Sequence, residues 1–190
     1  MSGFIPKLSD FSLYDNVIRL HVIANSDSEY DQQLKLFVRD SIIDCVGQTL
    51  DGAATKEEAE AAITASLSDI TVKAETAIYE YGSDYTVSAA LSPEEYPRRT
   101  YGNVTLPAGE YTSLRIVIGD GDGQNWWCVL FPRLCASPAL EYDCEDKDKF
   151  IEAGFTPSQY KIMTDTDDTR YVVKFRIVEF FRGVINKWRN

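Results

Sequence analysis

Residues 17–24 (VIRLHVIA) are rich in β-branched side chains and roughly alternate, a pattern that predicts a strand with His21 inside it. Asn25-Ser26-Asp27-Ser28-Glu29 then starts a helix. Ser26 and Glu29 stand at the spacing that lets a hydroxyl and a carboxylate satisfy orphan amides of a first turn. Leu34, Val38, Ile42 and Cys45 recur at helical spacing, giving one buried face up to about Leu50. Asp51-Gly52 breaks that helix, and Thr55 and Glu58 repeat the capping spacing. Ala59, Ile63, Leu67, Ile70, Ala74, Ala77 and Ile78 form the stripe of a second long helix, with Gly82 as its stop. From Asp84 the period drops to two. Tyr85, Val87, Ala89 and Leu91 alternate with smaller polar positions, residues 92–101 read as a Pro- and charge-bearing loop, residues 103–106 make a short strand, and residues 111–118 and 126–131 make strong ones. Pro107-Ala108-Gly109 is turn chemistry, and Gly119-Asp120-Gly121-Asp122-Gly123 reads as a tight hairpin loop.

These elements predict an α+β fold: an antiparallel sheet or meander of about five strands, covered on one face by the two long helices. Residues 1–16 read as a flexible leader or an expression remnant, and residues 17–190 as a single domain. Residues 136–168 are acidic and weakly patterned, with a short helix near 147–153. Residues 169–188 predict a C-terminal amphipathic helix, because Val173, Ile177, Phe180, Phe181, Val184 and Trp188 fall on about a third of its wheel. Its start is open, since residues 171–175 also read as strand.

Charge sharpens this picture. The chain of 190 residues carries a net −11, which argues against non-specific nucleic-acid binding, a process that needs a basic surface. Residues 1–169 hold 13 Lys and Arg against 29 Asp and Glu, a net of −16, whereas residues 170–190 hold six against one, a net of +5. A basic, apolar end on an acidic body predicts a helix docked on its own domain, a partner site or a membrane-surface helix. Lys174, Arg182, Lys187 and Arg189 are its membrane-surface candidates. No run of about 18 apolar residues is present to span a bilayer.

Candidate chemistry is sparse. The acidic glycine loop lacks the Lys of a phosphate loop, and its carboxylates are out of register for a calcium loop, with Phe131 where the bidentate Glu belongs. Thr164-Asp165-Thr166-Asp167-Asp168 reads as a solvated loop and cap. We therefore expect neither metal nor cofactor. The cysteines are Cys45, Cys128, Cys135 and Cys144, with no C-x-x-C pair, so a zinc site would need an unusual assembly. Outside the cytoplasm, a Cys128–Cys135 bridge turned by Pro132 is plausible, with Cys45 and Cys144 left to pair; four cysteines allow three connectivities. In the cytosol all four would be free thiols. His21 and Cys128 form the one conceivable nucleophile–base dyad, which keeps a thiol hydrolase as an alternative beside a structural cell-envelope module. Arg19, Asn25, Asp27, Arg39 and Asp40 gather around one strand–helix junction as caps, ion pairs or contact residues. Trp126 and Trp127 must point to opposite faces of their strand, and an exposed ring of this kind anchors partners. Tyr96, Tyr101 and Tyr111 add to an aromatic surface near the same strands.

The segment Ile18-Arg19-Leu20-His21-Val22-Ile23-Ala24-Asn25-Ser26-Asp27-Ser28, with Leu34-Lys35-Leu36 and Val38-Arg39-Asp40, resembles the opening block of the stage II sporulation protein R family. Tyr96-Pro97-Arg98-Arg99-Thr100-Tyr101-Gly102, Leu106-Pro107-Ala108-Gly109-Glu110-Tyr111, Ser113-Leu114-Arg115-Ile116-Val117-Ile118-Gly119 and Asn125-Trp126-Trp127-Cys128-Val129-Leu130-Phe131-Pro132 resemble its second block. Val173-Lys174-Phe175 and Ile177-Val178-Glu179 resemble its carboxy-terminal element. The resemblance implies a non-enzymatic signalling protein of endospore-forming bacteria, made in the forespore and exported to the space between forespore and mother-cell membranes. There such a protein triggers a membrane-embedded aspartic protease of the mother cell, which cleaves the precursor of sigma factor E. The hydrophobic export segment of such proteins is expected to have been trimmed from this chain. Partner-contact candidates on this reading are His21, Asn25, Asp27, Arg39, Tyr101, Trp126 and Trp127, with Cys128 and Cys135 holding the segment after the tryptophan strand.

Overall fold

The structure, a computed structural model, describes residues 15–101, 104–132 and positions 151, 156, 157, 160 and 163. The elements run β1 (Ile18–Ile23), α1 (Glu29–Thr49), α2 (Lys56–Ala65), α3 (Leu67–Glu80), β2 (Val87–Tyr96), β3 (Arg99–Tyr101), β4 (Val104–Leu106), β5 (Gly109–Ile118) and β6 (Asn125–Phe131). The fold is α+β, as the periodicity predicts. Its main sheet is mostly antiparallel, in the order β2-β5-β1-β6, and β3 and β4 form a separate ribbon. Most of the leader (residues 1–14), the expected C-terminal helix 169–188 and most of the short helix expected near 147–153 lie outside the described residues.

The strand order departs from a meander. β1 enters between β5 and β6, parallel to β5 and antiparallel to β6. The reason is visible in β1 itself: all six of its residues are buried. A strand buried on both faces gains most in the middle of a sheet, and a β5–β6 hairpin would leave it at an edge. Residues 119–124 are therefore not a hairpin loop but an arch crossing over the end of β1.

The helices cover one face. Ile18, Leu20 and Val22 of β1, Leu114, Ile116 and Ile118 of β5, and Cys128 and Leu130 of β6 pack with Leu34, Val38, Ile42 and Val46 of α1 and with Ile63, Ile70, Ala74 and Ile78. The expected second long helix is broken at Ser66, whose N–H bonds both Ala62 O and Ile63 O at 3.1 Å, yielding α2 and α3 with one continuous stripe. Thr55 caps α2 as its spacing predicts, accepting from Glu58 N at 3.2 Å, while Glu58 reaches back to Ala54 N at 2.8 Å. The cap of α1 falls two residues later than the spacing suggests. Ser28 accepts from Asp31 N, and Ser26 is left to bind the Asp31 carboxylate instead. A smaller apolar cluster of Val17, Tyr96, Leu106, Tyr111, Val129 and Met163 occupies the other face.

The arch over β1 depends on close approach. A Cβ on Gly119 would collide with Asn25 Oδ1, and one on Gly123 would collide with Ser26 O. The obstacle at Gly123 is backbone and cannot swing aside. Gly123→Ala should therefore cost about 1–3 kcal/mol through forced displacement of the arch. Urea denaturation checks this, and an unchanged midpoint would show that the arch can yield.

Candidate functional site

Alternation along β1 sends Arg19 and His21 to the face opposite the helices. The Arg19 guanidinium has no exposed surface and lies 4.0 Å from the Tyr96 ring centroid and 5.1 Å from that of Tyr111. A desolvated contact of this kind contributes about 2 kcal/mol. The Tyr96 hydroxyl hydrogen-bonds Ser113 Oγ at 2.7 Å, and the Tyr111 hydroxyl donates to Pro107 O at 2.8 Å, which fixes both rings.

His21 joins three strands. Its Nδ1 lies 2.7 Å from Glu94 Oε1 on β2, and its Nε2 lies 2.7 Å from Asn125 Oδ1 on β6. The imidazole stacks on Trp127 with centroids 5.4 Å apart and meets Tyr96 edge-on at 6.1 Å. Arg99 of β3 sits over the Trp127 ring at 4.0 Å, and Arg115 of β5 approaches Glu94 at 3.7 Å. Cations, aromatic rings and one carboxylate thus alternate across this face, with Arg115 about half exposed at the rim.

The β1–α1 junction is a second network. Asn25 donates to Asp31 Oδ2 at 2.9 Å and accepts from Asp120 N at 3.0 Å. Ser26 donates to the same carboxylate oxygen at 2.6 Å. Burial works against a charged Asp31, but hydrogen bonds from Ser26, Asn25, Tyr85 and Ser28 outweigh it and hold the carboxyl below its ordinary range. Lys35, also buried, donates to Gln32 Oε1 at 2.6 Å and to Gln124 O at 2.9 Å. Its burial pulls the ammonium below the usual lysine range, with Asp27 opposing and Arg39 adding to the shift.

The predicted site residues do not form one cluster. His21 and Trp127 share the second face; Trp126 lies on the helix side, where the Arg39 guanidinium sits 4.8 Å over its ring and donates to Asp40 Oδ1 at 2.6 Å. Asn25 is a tie within the junction, and Asp27 is exposed beside it. Tyr101 ends β3, opposite Val104. The His21–Cys128 dyad is not assembled. Cys128 registers with Leu20 and His21 with Trp127, so strand alternation separates the two side chains by the thickness of the sheet. Cys128 is moreover a bridged cysteine whose partner lies outside the described residues. Cys135, Lys174, Arg182, Lys187 and Arg189 lie outside them too. Sequence reasoning missed Glu94, Arg115, Asp31 and Lys35 as site residues. Glu94 was hidden because residues 92–101 read as a loop, whereas β2 continues through Tyr96 and β3 occupies Arg99–Tyr101; only the alternation of β5 bore on Arg115. Among the described residues no group of three His, Cys, Asp or Glu could hold a metal ion, and no helix is long and apolar enough to cross a membrane.

The chain is thus a small α+β domain whose sheet is built around a buried Arg-His strand, with an aromatic face and a glycine arch. Residues 14–140 match the family model for stage II sporulation protein R, and the chain belongs to that family. A relative from Bacillus subtilis (strain 168), named stage II sporulation protein R, is 40% identical over 121 residues, covering 64% of this chain and 54% of the relative. The match thus spans about half the relative's length. No solved structure matches the chain. Membership supports a role in sporulation, and the relative's name is not that of an enzyme.

The Asp31 network sets a pH signature. Because the folded carboxyl is held below its ordinary value of 3.8, its contribution to stability is present above that pH and is lost as the pH falls through the folded value. Asp31→Asn can keep an oxygen toward the Asn25 and Ser26 donors but removes the negative charge that strengthens both bonds, and should cost about 1–3 kcal/mol at pH 7. The gap from the parent should close in denaturation curves taken below pH 3.8; a constant gap would locate the cost in packing.

Proposed function

We propose that this chain is an exported signal of endospore-forming bacteria that acts between the forespore and mother-cell membranes, where it activates a membrane-embedded aspartic protease that processes the sigma factor E precursor. The observation that carries this reading is the family match over residues 14–140, which takes in the β1–α1 junction, the second face of the sheet and β6. Activation requires tighter binding to the active protease than to the inactive one. The contact element on this reading is β6, the last strand of its sheet, with Trp126 and Trp127 each backed by a guanidinium. Aromatic side chains held by arginine are well suited to anchor a partner. Tyr101 extends that contact, His21 sets the pitch of Trp127, and Asn25, Asp27 and Arg39 order the junction beside it. Cys128 pairs with Cys135 and pins the chain after β6. The basic segment carrying Lys174, Arg182, Lys187 and Arg189 lies against anionic lipid and holds the signal near its membrane target.

Reconstitution tests the reading. With an exported form of this chain, the cognate protease and the precursor in a non-sporulating host, precursor cleavage should depend on the chain. Trp127→Ala and Trp126→Ala, shown to be folded by circular dichroism, should each lower cleavage about tenfold or more. A folded chain that elicits no cleavage from a competent protease overturns the activator reading.

The membrane contact has its own assay. Binding to vesicles containing anionic phospholipid should be lost when the last 20 residues are removed and should weaken with salt. Equal binding by the shortened and full chains removes the lipid contact and leaves the activator reading intact.

A further inference from the structure

Most apolar side chains of the helices face the sheet, but one group of rings does not. Tyr30 and Phe37 stand seven residues apart on α1, hence on one side of it, and are 45% and 39% exposed. Tyr81, the residue that ends α3, meets both: its ring centroid lies 5.4 Å from that of Tyr30 and 5.5 Å from that of Phe37. Three rings in mutual contact make a continuous apolar patch on the α1–α3 seam, unlike a single exposed residue such as Val72. Aromatic side chains held open to water on a rigid pair of helices have the composition of a contact surface.

Charge decides what the patch fits. Residues 27–84, which hold all three helices, carry 13 Asp and Glu against four Lys and Arg. Three of those four cations are engaged. Lys35 is buried against Gln32 and Gln124, Arg39 pairs with Asp40, and Lys56 lies 3.3 Å from Glu60. The patch itself is bordered by exposed acids: Glu80 precedes Tyr81, and Asp44 stands two turns beyond Phe37 on the same side of α1. An anionic lipid surface, a nucleic acid or the same face of a second copy would bring like charge to this surface. The chain's own cationic end starts from the wrong side of the sheet. Met163, the last described residue, packs with Val17 and Val129 on the second face, opposite the helices.

We propose that the α1–α3 seam around Tyr30, Phe37 and Tyr81 is a docking surface for a cationic amphipathic segment of a partner protein. The apolar side of that segment lies on the rings, and its Lys or Arg side chains lie toward Glu80 and Asp44. Recognition is that of an amphipathic helix laid on an apolar groove, with charge selecting the class of partner. Arg39, which backs Trp126, points about 200° round α1 from Phe37, so this surface is separate from the one at β6. The docking surface does not depend on the activator reading.

The probe is a short helix-forming peptide of Leu and Lys, with every Leu on one side, labelled for fluorescence anisotropy; its Leu/Glu counterpart is the control. The full chain should bind the Leu/Lys peptide and not the Leu/Glu one. Phe37→Ser and Tyr30→Ser, shown to be folded by circular dichroism, should each weaken binding about tenfold. The paired change Asp44→Lys with Glu80→Lys, on exposed side chains that touch none of the rings in the core, should weaken it too, whereas Val72→Ser should leave it unchanged. Equal binding by Phe37→Ser and the parent, or equal binding of the two peptides, overturns the docking surface. Tighter binding once the last 20 residues are removed would assign the seam to the chain's own end, and a parent dimer that Phe37→Ser dissolves would assign it to a second copy; either result overturns the proposal.

Discussion

The guanidinium of Arg19 is enclosed in the middle of the sheet, on the strand that every layer of the fold shares. Enclosing a cation away from water is costly unless other groups replace its hydration. Here the rings of Tyr96 and Tyr111 take part of that role, and each ring is held by a hydroxyl contact of its own. That requirement sets what the neighbours must present. β2 has to bring Tyr96 and β5 has to bring Tyr111 to the same face. This aligns the strands so that Glu94 and Asn125 reach His21 two residues further along β1. The aliphatic half of β1 meanwhile faces the helices, so one strand anchors two unlike cores.

The end of β1 is secured separately. Asn25 joins the N-terminal turn of α1 through Asp31 and the arch through Asp120 N, while Ala24 O and Asn25 O accept from Gly123 N at 2.9 Å and Asp122 N at 3.1 Å. One short segment thereby fixes where the strand stops, where the helix starts and where the crossover passes. The glycines matter because the arch lies against this segment with no room for side chains, not because a hairpin turn needs them. The polar residues of the junction are consequently occupied with each other, and of the three contact candidates there Asp27 is the most exposed.

Local periodicity made most of the elements legible in the sequence. The helical stripes, the Thr55 cap and the alternation of residues 111–118 are short-range signals, and each corresponds to an element of the structure. Strand order was not legible, because it turns on a balance between chain segments about 100 residues apart. The clue was the composition of β1, whose apolar residues on one face and compact Arg-His pair on the other suit a central strand better than an edge. Ser66 broke a helix whose stripe is otherwise uninterrupted, and a serine alone gives no such warning. Of the candidate site, the tryptophan pair and the junction were legible as residues but not as separate places. Alternation already implied that Trp126 and Trp127 part company. Pairing His21 with Cys128 failed on register, a quantity that no spacing within either strand contains.

That separation of the tryptophans constrains any contact through β6. Trp126 belongs to the helix side with Arg39, and Trp127 to the opposite side with His21 and Arg99. A partner lying flat on either face can touch one indole only. A partner that engages both has to straddle the outer side of β6, where the strand has no neighbour among the described residues. Such a grip is sensitive to the tilt of the strand in a way that a flat contact is not, because a small rotation advances one ring and withdraws the other. The residue that sets the start of β6 is Asn125, and the group that holds Asn125 is the imidazole of the central strand. Geometry at the edge of this sheet is therefore governed from its middle.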